Sequence, residues 1–379
     1  MTQPPGGPVD LDDEAALAAG DPGQMLPAVA SSAAQVREAA ALAAEAGLGR
    51  LADDGRPRAV VVCGMGGSGI AGDVLAAVAG PGCPVPVLTH RGYGLPAWVG
   101  AADLVVAVSC SGRTEETLSA LEEAVRRGCR LLVVGAAGSP VEGLARQGRA
   151  PFVPVTQGRQ PRASAWALST PLLVAAHALG LAPAGPEELE EAALVLEEGA
   201  RACAPSVAAA ANPAKRLAAD LSGTLPVLWG TSPLAGTAAY RFACQLNENA
   251  QVPATWGVLP EANHNQVVAL DGAWAGAGGG EDDFFRDRVD DVERAGLRLV
   301  LLRDADEHPQ VRRRTEVSAD LAAERGVPVS TVRAEGRSAV ARLASLVGLT
   351  DWASAYVALL EGTDPTPVDA ITALKARIA

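Results

Sequence analysis

The chain has 379 residues, 49% of them hydrophobic, and 44 acidic against 31 basic side chains give it a formal charge of −13. That length buries one large core or two medium ones, so two domains is the starting expectation. The acidic balance argues against nucleic acid or an anionic membrane surface as the main partner, because both select basic surfaces.

No charged n-region followed by an apolar h-region opens the chain, and no run of eighteen uninterrupted apolar residues follows, which sets a cytoplasmic protein without a membrane as the expectation. The six cysteines, Cys63, Cys83, Cys110, Cys129, Cys203 and Cys244, form no Cys-x-x-Cys pair. Several sit in apolar runs, as reduced core thiols do, and no zinc site is expected. Only two of the 31 basic residues are lysine, Lys215 and Lys375. Lysine gives up a proton far more readily than arginine, so each is weighed by itself.

Residues 1–23 are rich in Pro, Gly and Asp and read as a flexible lead. The Ala/Leu spacing that follows, with Val29, Val36, Ala39 and Ala43, predicts amphipathic helices over 24–58. Then Val60-Val61-Val62-Cys63 runs into Gly64-Met65-Gly66-Gly67-Ser68-Gly69 and on to an apolar helical stretch. A buried strand, a tight glycine turn and a helix N-terminus bring backbone N–H groups and the positive end of the helix dipole to one point, an anion site. Gly64, Gly66 and Gly69 also spell the dinucleotide fingerprint. That reading wants a carboxylate at the end of the second strand. The chain has Thr89-His90-Arg91 there, which leaves an NADP-dependent oxidoreductase as a weakened alternative.

Strands are predicted at 85–89, 103–108, 130–135 and 150–155, with a helix over 115–127 among them. This alternation gives a parallel sheet covered on both faces. The third strand ends in Ser109-Cys110-Ser111-Gly112-Arg113-Thr114-Glu115-Glu116-Thr117. Thr114 alone is explained as a helix cap. Three hydroxyls at Ser109, Ser111 and Thr114 exceed what a cap requires and point to a phosphate.

Gly66-Gly67-Ser68 together with Ser109-x-Ser111-Gly112-x-Thr114-Glu115-Glu116-Thr117 resembles the sugar isomerase (SIS) fold. The later blocks Asn247-Glu248-Asn249-Ala250, Asn263-His264-Asn265 and Asp364-Pro365-Thr366-Pro367-Val368 resemble the bifunctional phosphoglucose/phosphomannose isomerases within it. The resemblance covers about 59–379. It implies two SIS-type, flavodoxin-like, doubly wound α/β subdomains at 59–178 and 223–345, a helical connector at 179–222 and C-terminal helices at 346–379. It implies an aldose–ketose isomerase that takes glucose 6-phosphate, and mannose 6-phosphate as a further substrate, to fructose 6-phosphate without metal or cofactor. Gly66, Gly67, Ser68, Ser109, Ser111 and Thr114 would bind the phosphate. The family usually has an aromatic residue and an asparagine where this chain has Cys110 and Arg113; neither replaces a hydroxyl, so phosphate binding is expected to survive, with substrate preference the property open to change there.

Moving a proton between neighbouring sugar carbons needs a carboxylate that is partly desolvated. Glu248 is the candidate and Glu261 the second choice. By resemblance Arg162, in Gly158-Arg159-Gln160-Pro161-Arg162, steadies the enediolate. His264 is the best placed of four histidines for ring opening. The family also places a catalytic lysine near its C-terminus, which assigns Lys375 to ring opening or to the sugar oxygens, and a homodimer in which His264 acts across the interface is implied in the same way. Lys215, in the connector, is expected to be a surface residue. Further strands are expected at 225–230, 267–270, 297–302 and 327–332, helices at 235–247, 338–347 and 351–361, and a flexible insertion at 271–283. The competing class is a non-catalytic phosphosugar-binding SIS protein.

Overall fold

The computed structural model describes residues 9–156, 158, 160–275 and 295–378. In chain order the elements are α1 (Glu14–Gly20), α2 (Met25–Ala30), α3 (Ser32–Glu45), β1 (Val60–Cys63), α4 (Gly67–Ala79), β2 (Val87–His90), β3 (Leu104–Ser109), α5 (Glu115–Arg126), β4 (Arg130–Ala136), α6 (Pro140–Gln147), β5 (Phe152–Val155) and α7 (Ala165–Ala178). There follow α8 (Pro186–Ala202), α9 (Pro213–Leu221), β6 (Leu225–Gly230), α10 (Pro233–Gln245), β7 (Thr255–Val258), β8 (Leu297–Arg303), α11 (Pro309–Glu324), β9 (Val329–Arg333), α12 (Ala339–Leu360) and α13 (Asp369–Ile378).

Two compact units divide the chain. One comprises 30–198 with 336–344, the other 1–29, 199–335 and 345–379. The first holds a five-stranded parallel sheet in the order β2-β1-β3-β4-β5. Two of the three interior strands, β1 and β3, are buried at every residue, as their β-branched runs require. One crossover leads from β1 outward to β2 and the next returns to the other side at β3, so the chain reverses its winding between them. In open α/β sheets that crevice, beyond the carboxyl ends of the strands, is where ligands bind. Val61, Val105, Leu121, Leu131 and Val133 form the core between the sheet and α5 and α6.

The second unit repeats the plan with a four-stranded parallel sheet, β7-β6-β8-β9. Trp229, Leu299, Leu301 and Val327 are at its core. The doubly wound α/β architecture predicted from sequence is therefore present in both units.

Several local expectations differ from the structure. Val267–Leu270 is not a strand: Gln266–Asp271 forms a 3-10 helix, and the edge beside β6 is taken by β7. The Gln266 side chain pins that helix, accepting from Trp229 Nε1 at 2.7 Å and donating to the Trp256 carbonyl at 2.9 Å. Residues 338–347 and 351–361 are not separate helices but one, α12. It is long and apolar enough to cross a membrane by length and composition, and 78% of its most apolar window is buried inside the structure. In the lead, Asp13 caps α1 by accepting from the N–H groups of Ala15 and Ala16, and Leu17 is fully buried, so the loose segment expected up to Gly23 contains an ordered helix. The insertion at 271–283 is described only to residue 275, where Asp271 closes the 3-10 helix; the rest lies outside the described residues.

Lys215 is the clearest reversal. It is fully buried, donates from Nζ to the carbonyls of Pro205 (2.7 Å) and Val207 (2.8 Å), and lies 5.7 Å from the Tyr356 ring centroid. Burial pushes its ammonium below the usual lysine range, against the pull of Asp12. Three donors on a compact head fit two converging carbonyls, which explains a lysine in a chain that otherwise uses arginine.

Candidate active site

In the first unit, β1 ends at Cys63 and the chain turns through Gly66, whose φ of +53° is open to glycine at little cost, before α4 starts at Gly67. Gly66 is the N-cap and offers no side chain; the Ser68 and Gly69 N–H groups donate to the Met65 carbonyl at 3.0 and 3.3 Å, which leaves the Gly67 N–H and the positive end of the helix dipole at the head of α4. Ser68 sits in that turn, 8% exposed. Its Oγ accepts the Cys110 N–H at 3.2 Å, which ties the β1–α4 turn to the β3–α5 turn.

On the second turn, Thr114 is the N-cap of α5 by backbone position, yet its hydroxyl makes no capping bond. It hydrogen-bonds the fully buried Ser109 Oγ at 3.0 Å instead. Ser111 is exposed and its Oγ accepts the Arg113 N–H at 3.2 Å. Ser68 and Ser111 thus have an acceptor site filled by the main chain and keep their own protons to donate. The capping explanation of Thr114 does not hold. Gly112 lets the loop close: its φ is +67°, and a Cβ there would lie 2.0 Å from Ser139 Oγ at the start of α6.

Arg162 lies in a short 3-10 turn, Pro161–Ala163, directly before α7, and is half-buried. Neighbouring residues connect that turn to the hydroxyl loops. The Cys110 thiol is pushed up by burial and interacts with the Ser164 hydroxyl, which donates to the Gln160 carbonyl at 2.8 Å. A neutral thiol adds no negative charge beside an anion site. From α3, the buried Gln35 donates to the Ala163 carbonyl at 2.6 Å and accepts the Ala167 N–H at 3.3 Å, supplying α7 with the cap that Ser164 does not. The structure therefore gathers Gly66, Gly67, Ser68, Ser109, Ser111 and Thr114 on two joined turns, with the Arg162 turn tied to them through Cys110.

Arg91, the residue that kept the NADP alternative open, is ion-paired to Asp73, which also accepts from the Thr89 hydroxyl at 2.8 Å. That carboxylate occupies the cation a 2′-phosphate would need.

In the second unit, Glu248 lies in a π turn, Leu246–Ala250, that continues α10 and ends at Gln251 in the left-handed region. Such turns are rare and concentrate at functional sites. Glu248 is half-buried, whereas Asn249 is fully buried and donates to Ser354 Oγ at 2.9 Å. His264 closes a 3-10 turn, Glu261–His264, and is exposed; Lys375 is exposed on α13, no residue of which is buried. Neither side chain makes a hydrogen bond or ion pair among the described residues, so the structure joins neither to Glu248. Glu261 is exposed and accepts from Asn265 Nδ2 at 3.1 Å.

A bifunctional phosphoglucose/phosphomannose isomerase of Caldicellulosiruptor bescii is 33% identical over 84% of this chain and 89% of its own length, and one from Aquifex aeolicus is 32% identical over the same shares. The chain belongs to the bifunctional phosphoglucose/phosphomannose isomerase family. Residues 210–378 match the model of the bacterial phospho-glucose isomerase C-terminal SIS domain, a span that includes Glu248, His264 and Lys375. At the level of fold, a glucose-6-phosphate isomerase from Chlamydia trachomatis superposes with a TM-score of 0.64 at 14% identity, covering 93% of this chain and 77% of that one.

Within this family member, sequence reading missed Ser164, Gln35 and Ser139. All three act by holding main chain in place, and no motif advertises that role. The π turn was missed as well; the crowding of polar residues after the apolar face of α10 was its signal.

Proposed function

We propose that the chain interconverts glucose 6-phosphate and fructose 6-phosphate, with mannose 6-phosphate as a second aldose, through an enediolate and without a metal ion. The observation that carries this reading is the pair of joined turns with four hydroxyls and two helix N-termini, in a chain of this family. A phosphate dianion held there would position the reacting carbons through binding energy remote from the chemistry.

In the proposed cycle, His264 and Lys375 move a proton from the anomeric hydroxyl to the ring oxygen, opening the sugar. The Glu248 carboxylate takes the C2 proton, the C2–H electron pair forms the C1–C2 double bond, and the carbonyl pair moves onto O1. Arg162 stabilises that oxyanion. Glu248 returns the proton to C1, and a proton shift from O2 to O1 leaves the ketose. Return of the proton to either face of C2 is what a glucose and mannose activity in one protein requires. A homodimer in which the exposed His264 serves its partner, in the cytoplasm, completes the reading.

The test is a coupled assay with fructose 6-phosphate and mannose 6-phosphate, run with and without a chelator, on the wild type and on Glu248→Gln. Turnover that resists the chelator and falls by about 100-fold or more in the variant is expected. Binding of fructose 6-phosphate with no turnover in the wild type would make the chain the phosphosugar-binding, non-catalytic SIS protein instead.

A further inference from the structure

Arg241, Gln245 and Asn249 are spaced four residues apart along α10 and its π turn, and each is at most 2% exposed. They face α12. Arg241 donates through Nε and a terminal nitrogen to both oxygens of Asp351, at 2.9 and 2.7 Å. Gln245 lies beside the same carboxylate, although its buried Nε2 completes no hydrogen bond; burial pushes that carboxyl up and Arg241 pulls it down. Asn249 donates to Ser354, and Ser354 donates in turn to the Asp351 carbonyl at 2.8 Å. A seam of buried polar groups thus runs along one side of the helix that carries Glu248.

Its register is the informative part. In an unbroken α-helix residues seven apart share a face, and Glu248 would stand in line with Arg241. The π turn takes up about one extra residue. The seat in line passes to Asn249, and Glu248 is swung off the seam to a half-buried position.

Apolar side chains of the same volume would pack α10 on α12 about as well, since a buried ion pair gains little over a hydrophobic replacement. What the polar seam adds is a preferred alignment: Asn249 Nδ2 finds its partner at Ser354, and one residue of slip would strand that donor beside an Oδ1 that is already buried without a hydrogen-bond partner, while Ser354 keeps the Asp351 carbonyl.

We infer that Asn249, held by Ser354 and backed by the Arg241–Asp351 pair, is a positioning residue that selects the π register and so sets the direction of the Glu248 carboxylate. The inference rests on the reading of Glu248 as proton carrier.

The test measures kcat, KM and the pH dependence of kcat for Asn249→Ala, Ser354→Ala and the double variant, beside Glu248→Gln, using fructose 6-phosphate. In folded single variants kcat should fall about 10- to 100-fold, the loss expected for a reacting group displaced by about 1 Å. KM should stay within about twofold, because phosphate binding is untouched. The acid limb of the kcat profile should move, and the double variant should be no slower than the slower single one, since both remove the same bond. A merely structural Asn249 would lower the melting temperature and leave the folded enzyme at wild-type kcat. Ser354→Ala loses one hydroxyl only and decides the matter if Asn249→Ala does not fold. An inactive Glu248→Gln beside seam variants within about threefold of wild-type kcat overturns this inference alone. Full turnover by Glu248→Gln overturns the proton-carrier reading and the seam's role with it.

Discussion

Replacing Thr114 by valine separates two tasks a threonine can perform at the start of a helix. A capping hydroxyl contributes about 0.5–2 kcal/mol to stability. In this structure the hydroxyl caps nothing and faces Ser109 at 3.0 Å. Valine keeps the shape and β-branching, so the stability cost is that of one neutral hydrogen bond, about 1 kcal/mol. For a unit of this size that amounts to about 2–4 °C in melting temperature. The binding cost should be larger. A hydroxyl bonded to a phosphate dianion contributes about 1.5–3 kcal/mol, and its loss raises KM for fructose 6-phosphate about 10- to 150-fold. The phosphate is held equally in ground and transition states, so kcat should change little. Steady-state kinetics with a dehydrogenase-coupled readout, competitive inhibition by inorganic phosphate and thermal denaturation together test this. A KM within about twofold of wild type, with a melting temperature lowered by about 4–8 °C, as loss of a cap of about 2 kcal/mol gives, would return Thr114 to the role of a cap and refute the phosphate reading.

Gly112→Ala should be far more damaging, because φ is +67° and the new Cβ would lie 2.0 Å from Ser139 Oγ; the β3–α5 turn must open, and loss of phosphate protection against thermal unfolding is the readout. Stability should also fall in alkali. Burial pushes the Cys203 thiol up to about 11 and the Cys63 thiol up to about 12, from 9.0. The unfolded chain therefore releases these protons first, so their stabilisation is complete below pH 9 and is lost as pH rises through 11 and 12. At about 1.4 kcal/mol for each unit of separation, Cys203 contributes about 3 kcal/mol to that decline. Denaturant midpoints at pH 8 and 10.5 should show a drop that Cys203→Ala reduces, and equal slopes in both proteins would disprove the assignment.

The alternating strands and helices, and both the glycine turn after β1 and the hydroxyl turn after β3, were legible because their signals are local. An apolar run ending in glycines or hydroxyls has few conformations open to it. Val267–Leu270 misled for the opposite reason: four apolar residues fit a strand, but the seat beside β6 had gone to Thr255–Val258, a segment containing Gly257. A Cβ at Gly257 would lie 2.8 Å from the Gln266 amide, so that glycine admits the side chain that pins the 3-10 helix. Lys215 was misread because lysine is rarely buried, and only the fold brings two carbonyls and a ring together around it. Of the functional residues, those on the hydroxyl turns could be grouped from their spacing. Glu248 could be chosen as a candidate by type and motif, but the π turn that carries it is bonded through Asn249 to Ser354, more than a hundred residues away in sequence.

The interior placement of Lys215 has a practical outcome for chemical labelling. Its amine is shut away from solvent, while Lys375 stands in the open on α13. An acylating reagent applied to the native protein meets one lysine side chain, and that one belongs to the proposed machinery. A fluorophore or crosslinker can therefore be installed there without engineering, and shielding of that amine by a bound sugar phosphate becomes directly countable by mass.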